Sequence, residues 1–336
     1  MIRKPTALFA CIESMVLMVL LVSLVAFFGS KTPDFFTFVN FRTIVSNLPV
    51  VAIMAVGMTF VLLSGGLDIS VGSILGFTAI NVVLFHKLGW PATAVVPVSL
   101  ALGAVLGSIN GLIITRVGVN PVITTLGMMA FARGMASWFA LNFEILKVKR
   151  IFDEDFLLIA RQHLPIGDNK SVPITLVYIV VLYIAAAFVL RYTRYGRNLY
   201  AVGSNEHAAR LAGINTNRIK FISYVISGGT ASIAAVILVA QMSIGLESDG
   251  QGAELDVITA VVLGWVSLSG GKGNLLGVII AVVILGVIGN GMVHLEKVTG
   301  ISYHWRAVAK GAILILAVTI DAARTMALRR WRRVRQ

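Results

Sequence analysis

Charge is scarce in this chain. Only 13% of its 336 residues are Asp, Glu, Lys or Arg, while 57% are apolar and the mean hydropathy is +0.90. Ordinary soluble domains carry roughly twice that share of charge. A water-soluble core of this length cannot hide the excess, which excludes a soluble enzyme, a nucleic-acid-binding domain and a disordered chain. Cysteine is all but absent: Cys11 is the sole one and lies in an apolar run. That excludes an intramolecular disulfide and a thiolate metal cluster. Acidic residues are also few, 15 against 28 Lys and Arg, for a net charge of +13. Glycine is plentiful at 32 residues, which suits closely packed transmembrane helices.

Apolar runs near the ~20 residues that span a bilayer fall at roughly 8–28, 43–64, 71–85, 92–115, 122–142, 174–190, 221–243 and 275–293, with shorter ones at 257–269 and 307–321. The first is followed by Phe27-Phe28-Gly29-Ser30-Lys31 rather than a small-residue cleavage site, so it reads as a retained helix. The expectation is an all-α integral membrane protein, one permease-sized domain over 1–336 with about ten transmembrane helices. Charge location orients it. Residues 191–220 carry Arg191, Arg194, Arg197, Arg210, Arg218 and Lys220 against Glu206, and the 322–336 tail is strongly basic. Residues 244–256 hold Glu247, Asp249, Glu254 and Asp256 without Lys or Arg, and 144–172 is balanced. Cytoplasmic loops collect Lys and Arg, so both termini and 191–220 are expected inside, with 144–172 and 244–256 outside. The positive charge is therefore topology rather than a nucleic-acid footprint, and the tail is placed to touch anionic lipid headgroups.

Residues 63–72 read Leu-Ser-Gly-Gly-Leu-Asp-Ile-Ser-Val-Gly between two apolar runs. Ser64, Gly65 and Gly66 break a helix, and Asp68 and Ser70 stand where the next restarts. A carboxylate at bilayer depth costs roughly 2.5–3.5 kcal/mol on insertion scales, so Asp68 needs partners. Two readings stay open: a discontinuous helix facing or bracing a translocation route, or an Asp that caps the following helix. A second Leu-Ser-Gly-Gly, ending at Gly271, again separates apolar runs, as repeats in transporters do. The pairs Asn110-Gly111 and Asn290-Gly291 sit on small-residue helices and read as packing. No G-x-x-x-x-G-K-[ST] loop is present, so the chain is not expected to hydrolyse ATP.

The 191–220 segment predicts a short helix from Glu206 through Ala212, with Asn205 as its cap and Gly213 as its stop. Ala208, Ala209 and Ala212 make one face small, which suits a docking element for a cytoplasmic partner; the alternative is a plain membrane-surface helix. Elsewhere, Arg133 and Lys310 are expected to pair or snorkel at helix ends, and Glu13 is costly where it stands. His294 and His304 lack metal-ligand spacing, so no metal and no cofactor is expected. Glu254 and Asp256 read either as a contact for a periplasmic partner or as solvated loop charge.

Taken together, these stretches resemble the permeases of ribose-type monosaccharide ABC importers. The matching residues are Ala55-Val56-Gly57-Met58-Thr59 with Ser64 through Gly72, Asn120-Pro121-Val122-Ile123-Thr124-Thr125-Leu126-Gly127, Arg133-Gly134, Tyr195-Gly196-Arg197 through Gly213-Ile214, Glu254-Leu255-Asp256-Val257-Ile258, and Ser267 through Gly273. The chain departs from the family at Trp265, where a second Gly usually follows Gly264, and in 144–172. The resemblance implies a non-catalytic inner-membrane subunit moving a monosaccharide by alternating access. It implies cytoplasmic ATPase subunits docked at Gly196, Arg197, Asn205, Glu206, Ala208, Ala209 and Gly213, a periplasmic solute-binding protein, and a second permease subunit, identical or a sister. Another solute of the same transporter class (a furanosyl signal molecule, a nucleoside, a branched-chain amino acid) and an ion-coupled secondary carrier stay as alternatives.

Overall fold

The computed structural model describes residues 6–145, 151, 153–166, 170–300, 302 and 304–334, with side chains from Ser14 to Ile320. Glu13 and residues 322–336 of the tail thus lie outside the described side chains. The backbone of the helix that opens at Trp305 continues to Val334.

Two helices form the centre. α1 (Thr6–Lys31) runs along the outside, then α2 (Phe38–Asn47) leads into α3 (Pro49–Leu63). Thr37 caps α2 by accepting the Asn40 amide at 3.2 Å. Pro49 then opens α3, where its missing N–H costs nothing, and the pair bends by 41°. Every residue from Ala52 to Ser64 is buried, as is every residue of α4 (Val71–Lys87) through Leu84. Helices buried on all faces need no polar side, which is why these runs read as uniformly apolar.

Around them stand α5 (Ala92–Leu112), which ends in a π-turn at Ile113–Val117, and α6 (Pro121–Asn142), capped by Asn120. Then come α7 (Glu154–Arg161), α8 (Thr175–Tyr192), α9 (Arg194–Ser204), α10 (Glu206–Leu211), α11 (Thr216–Met242), α12 (Ala253–Leu263), α13 (Leu275–Thr299) and α14 (Trp305–Val334). Most of the apolar runs marked in the sequence fall on one helix each, but 43–64 is divided between α2 and α3, and 257–269 runs past the end of α12 at Leu263 into a turn. Among the described residues five are long and apolar enough to cross a membrane alone, and the α2–α3 pair makes a sixth if the two are taken as one span. α5 and α11 pack closely because Gly103 and Gly107 face Gly228. A Cβ on Gly228 would stand 2.9 Å from the Gly107 nitrogen. Small residues admit such backbone contact.

Residues 144–172 are not simply a loop. Asp153 caps α7 by accepting the Phe156 amide at 3.2 Å, and β1 (His163–Pro165) pairs antiparallel with β2 (Ser171–Pro173). The Arg161 guanidinium ties α7 to the end of α11 through the carbonyls of Ala240 (3.1 Å) and Gln241 (2.9 Å) and the Ser243 hydroxyl. A helix of eight residues is too short for its periodicity to stand out among so many charges.

Candidate functional site

The break after α3 is real, and Asp68 is its hub. Ser64 ends α3 with its hydroxyl on the Val61 carbonyl at 2.7 Å. Gly65 takes φ +82°, and Gly66 donates back to Val61 at 3.0 Å. Asp68 is fully buried. Its Oδ1 accepts from the Ser70 amide (3.0 Å) and hydroxyl (2.5 Å), and its Oδ2 accepts from the Ser227 hydroxyl of α11 (2.7 Å). Asn110 of α5 donates to the Ser70 hydroxyl at 2.9 Å. The capping expectation needs correction: α4 is preceded by Ser70, which makes no capping bond, and Asp68 binds the loop itself and a neighbouring helix. Both carboxylate oxygens accept from protein donors, so the buried group is not left without partners. The Asn110-Gly111 pair is thus more than packing, since its amide reaches this network.

The second Leu-Ser-Gly-Gly, between α12 and α13, folds against the first. The Gly271 amide donates to the Leu63 carbonyl at 3.0 Å, and a Cβ on Gly270 would stand 2.9 Å from both the Gly203 oxygen and the Gly65 Cα. Ser204 donates to the Gly271 carbonyl at 3.4 Å, and the Tyr200 hydroxyl to that of Gly273 at 3.0 Å. The two glycine turns and the end of α9 therefore meet largely backbone to backbone, with the Ser204 and Tyr200 hydroxyls bonded to the second turn.

α10 follows the predicted capping, and it is preceded by a further helix, α9, that the sequence pattern did not predict. Thr193 caps α9 on the Gly196 amide (3.1 Å), and Gly196 is buried against the backbone of α8. Arg197 is exposed, with its guanidinium on the Tyr192 carbonyl at 3.3 Å. Asn205 ends α9 and caps α10 through the Ala208 amide at 3.0 Å. Gly213 takes φ +80°; its amide bonds to the Arg210 carbonyl and that of Ile214 to the Ala209 carbonyl, the paired bonds of a Schellman stop. Glu206 joins α10 to α11 through Lys220 at 2.5 Å. Partial burial opposes its ionisation, but the Lys220 contact outweighs this and holds the carboxyl below its ordinary value.

The small face is corrected in one respect. Ala209 is buried within the chain, whereas Ala208 and Ala212 are exposed. The exposed apolar side chain of α10 is Leu211, 78% exposed, which is not among the small residues singled out in the sequence. Arg133 and Lys310 are partnered as expected. Arg133 donates to the carbonyls of Glu247 (2.5 Å) and Asp249 (2.9 Å), and Lys310 pairs with Asp256 at 2.5 Å. Glu254 and Asp256 lie in the first turn of α12, so they are helix residues rather than loop charge. His294 bonds to Asn40 at 2.9 Å.

Residues 40–318 match the family model described as branched-chain amino acid transport system / permease component. The chain is 39% identical over 304 residues to the ribose import permease protein of Escherichia coli strain K12, spanning 90% of this chain and 92% of that relative. It is 31% identical over 319 residues to the galactose/methyl galactoside import permease protein of the same organism (90% and 92%). It is 32% identical over 306 residues to the fructose import permease protein of Rhizobium meliloti (91% and 84%).

Proposed function

The chain belongs to the branched-chain amino acid transport system / permease component family of membrane proteins, and from that premise we propose that it is the permease subunit of an ATP-binding-cassette importer for a monosaccharide. One observation carries the choice of solute: the relatives reported above are named for the import of ribose, galactose and fructose, and each aligns with about nine-tenths of this chain. The subunit itself is non-catalytic. ATP hydrolysis belongs to cytoplasmic partner subunits, and solute arrives from a periplasmic binding protein at the inner membrane.

The coupling route runs through backbone contacts. Leu211, flanked by the exposed small residues Ala208 and Ala212 and the exposed Arg210, has the form of an apolar anchor and docks into a cleft on the ATPase. Asn205 belongs to both α9 and α10, so a push on α10 moves the end of α9. Gly203 and Ser204 pass that push to both glycine turns at once. The breaks beside α3 and α12 then shift together, and the cavity opens to the other side. Asp68 keeps the first break in register with α11 while this happens. The path is completed by a second permease subunit, the same chain or a sister.

The test is ATP-dependent uptake of ribose, galactose and fructose by the chain reconstituted in vesicles with its ATPase and binding protein. At least one sugar is to be taken up. Leu211→Asp is to abolish uptake and co-purification of the ATPase while leaving the amount inserted unchanged. Uptake of none by the wild type would sink the sugar reading, and full activity of Leu211→Asp would sink the docking assignment.

We further propose ten crossings, with α2–α3 as one, both termini cytoplasmic, and α7 and residues 244–252 outside. Reporter cysteines at His207 and Ser248 in a Cys11→Ser background, both exposed positions, are then to react from opposite sides. Labelling of both from the same side would overturn the topology.

A further inference from the structure

A cavity of about 350 Å³ lies where α2, the start of α3, α12, α13 and α14 converge. Its surroundings are apolar, yet its lining is not. Thr43 and Asn47 come from α2, Asp256 from α12, Asn290 from α13, and Arg306 and Lys310 from α14. A second space of about 430 Å³ adjoins it, and Asp256, Arg306 and Lys310 line both.

The backbone explains why the space exists. The 41° bend between α2 and α3 falls at Leu48, beside Asn47 in the wall. On α13, Gly286 and Gly289 present no side chain. The Arg306 guanidinium lies across Gly289, its Nε 3.3 Å from where a Cβ would stand.

Stability alone does not account for these residues. Asp256 and Lys310 are only 22% and 17% exposed. A largely buried ion pair gains little over apolar residues of the same size. Ionisable groups within a membrane protein mark pathways more often than scaffolds. In addition, the Asn290 side-chain oxygen is buried with no hydrogen-bond partner, and a buried acceptor is compensated only when a donor reaches it.

We propose that this cavity is a solute station inside the protomer, holding a neutral, hydroxyl-rich molecule of monosaccharide size; the proposal rests on the sugar-import reading above. Neighbouring hydroxyls of such a molecule donate to the Asp256 carboxylate and to the Asn290 oxygen. Lys310 and the Asn47 amide donate to its hydroxyl and ring oxygens, and Val51 and Leu285 face its C–H surface. Asp256 and Lys310 cancel each other's charge, and the Arg306 guanidinium, which lies across Gly289 in the same wall, adds donors for hydroxyl oxygens. The volume falls within the roughly 300–1,000 Å³ of small-molecule sites.

The test uses the assembled transporter with a Cys11→Ser, Val293→Cys permease, because Val293 lines the cavity without contributing a polar group. Alkylation of that cysteine by N-ethylmaleimide is followed while ribose, galactose or fructose is titrated. A transported sugar is to slow labelling by about tenfold at ten times its dissociation constant, the occupancy ratio for a single site. A cysteine at Ile184, exposed on α8, is to be unaffected. Asn290→Ala and Asp256→Asn are each to weaken both protection and uptake. If sugars are taken up but Val293→Cys is never protected, and both variants transport like the wild type, the station falls while the importer reading stands. If no sugar is taken up at all, the importer reading falls, and the station with it.

Discussion

The tetrapeptide Leu-Ser-Gly-Gly occurs twice, at 63–66 and 268–271, and the two copies fold differently. In the first, only Gly65 is left-handed; Gly66 has an ordinary backbone and is small because the Tyr224 hydroxyl would lie 2.5 Å from its Cβ. In the second, Gly270 and Gly271 are both left-handed, at φ +82° and +70°, and the backbone of Ser204 fills the space beside Gly271. The first copy leads to a buried carboxylate held by another helix. The second leads to Asn274, which caps α13 by accepting the Gly277 amide at 2.9 Å. Identical residues thus break a helix in both places, but what each glycine must do is set by its neighbours. Both turns touch α9 and both use a left-handed glycine; the first also serves a buried hydrogen-bond network, and the second needs a further left-handed residue at Gly271, packed against Ser204.

That contrast orders the expected effects of substitution. Gly271→Ala is the most damaging, because a left-handed residue with a Cβ costs roughly 1–2 kcal/mol and the added atom also displaces Ser204, whose Cα would lie 2.6 Å away. In Gly66→Ala the nearest atoms are not backbone but the far end of the Tyr224 side chain and a Val61 methyl at 3.2 Å. Thermal unfolding of the purified variants is to show the larger loss for Gly271→Ala, with transport falling further still because α9 is displaced. The reverse ranking would break the comparison.

A smaller effect is expected at Asp68 and sharpens the first half of it. Asp68→Ala strands the buried hydroxyls of Ser70 and Ser227, at a penalty of about 1–3 kcal/mol for an unsatisfied group. Asp68→Asn keeps the shape and one accepting oxygen, and is to lose less in the same unfolding measurement. Equal losses for the two would show that shape rather than hydrogen bonding matters there.

Much of this molecule is legible in its sequence. Long apolar runs must be helical in a bilayer, because no water is present to satisfy an exposed backbone. The long runs accordingly lie on helices, while the short run 257–269 leaves α12 at Leu263. Asn205 and Gly213 bound α10 because capping is local chemistry between residues a turn apart. The break at Ser64-Gly65-Gly66 is legible for the same reason.

What sequence alone leaves open depends on pairings far along the chain. Asp68 is satisfied by Ser227, 159 residues later, and Asp256 by Lys310, 54 residues later. Nothing in the local pattern around either acid points to its partner. Ala209 faces inward and Leu211 outward because α10 packs against α9 and α11, and six residues are too few for a periodic stripe to show which side is covered. The amino-acid sequence by itself determined that this is a helical membrane protein, that a helix ends at Ser64-Gly65-Gly66, and how α10 begins and ends, since helix formation in lipid and end-capping are decided within a few residues. Only the tertiary structure decided that both glycine turns rest on α9 and that a polar cavity forms beside the bend in α2–α3, because both depend on which distant helices come into contact.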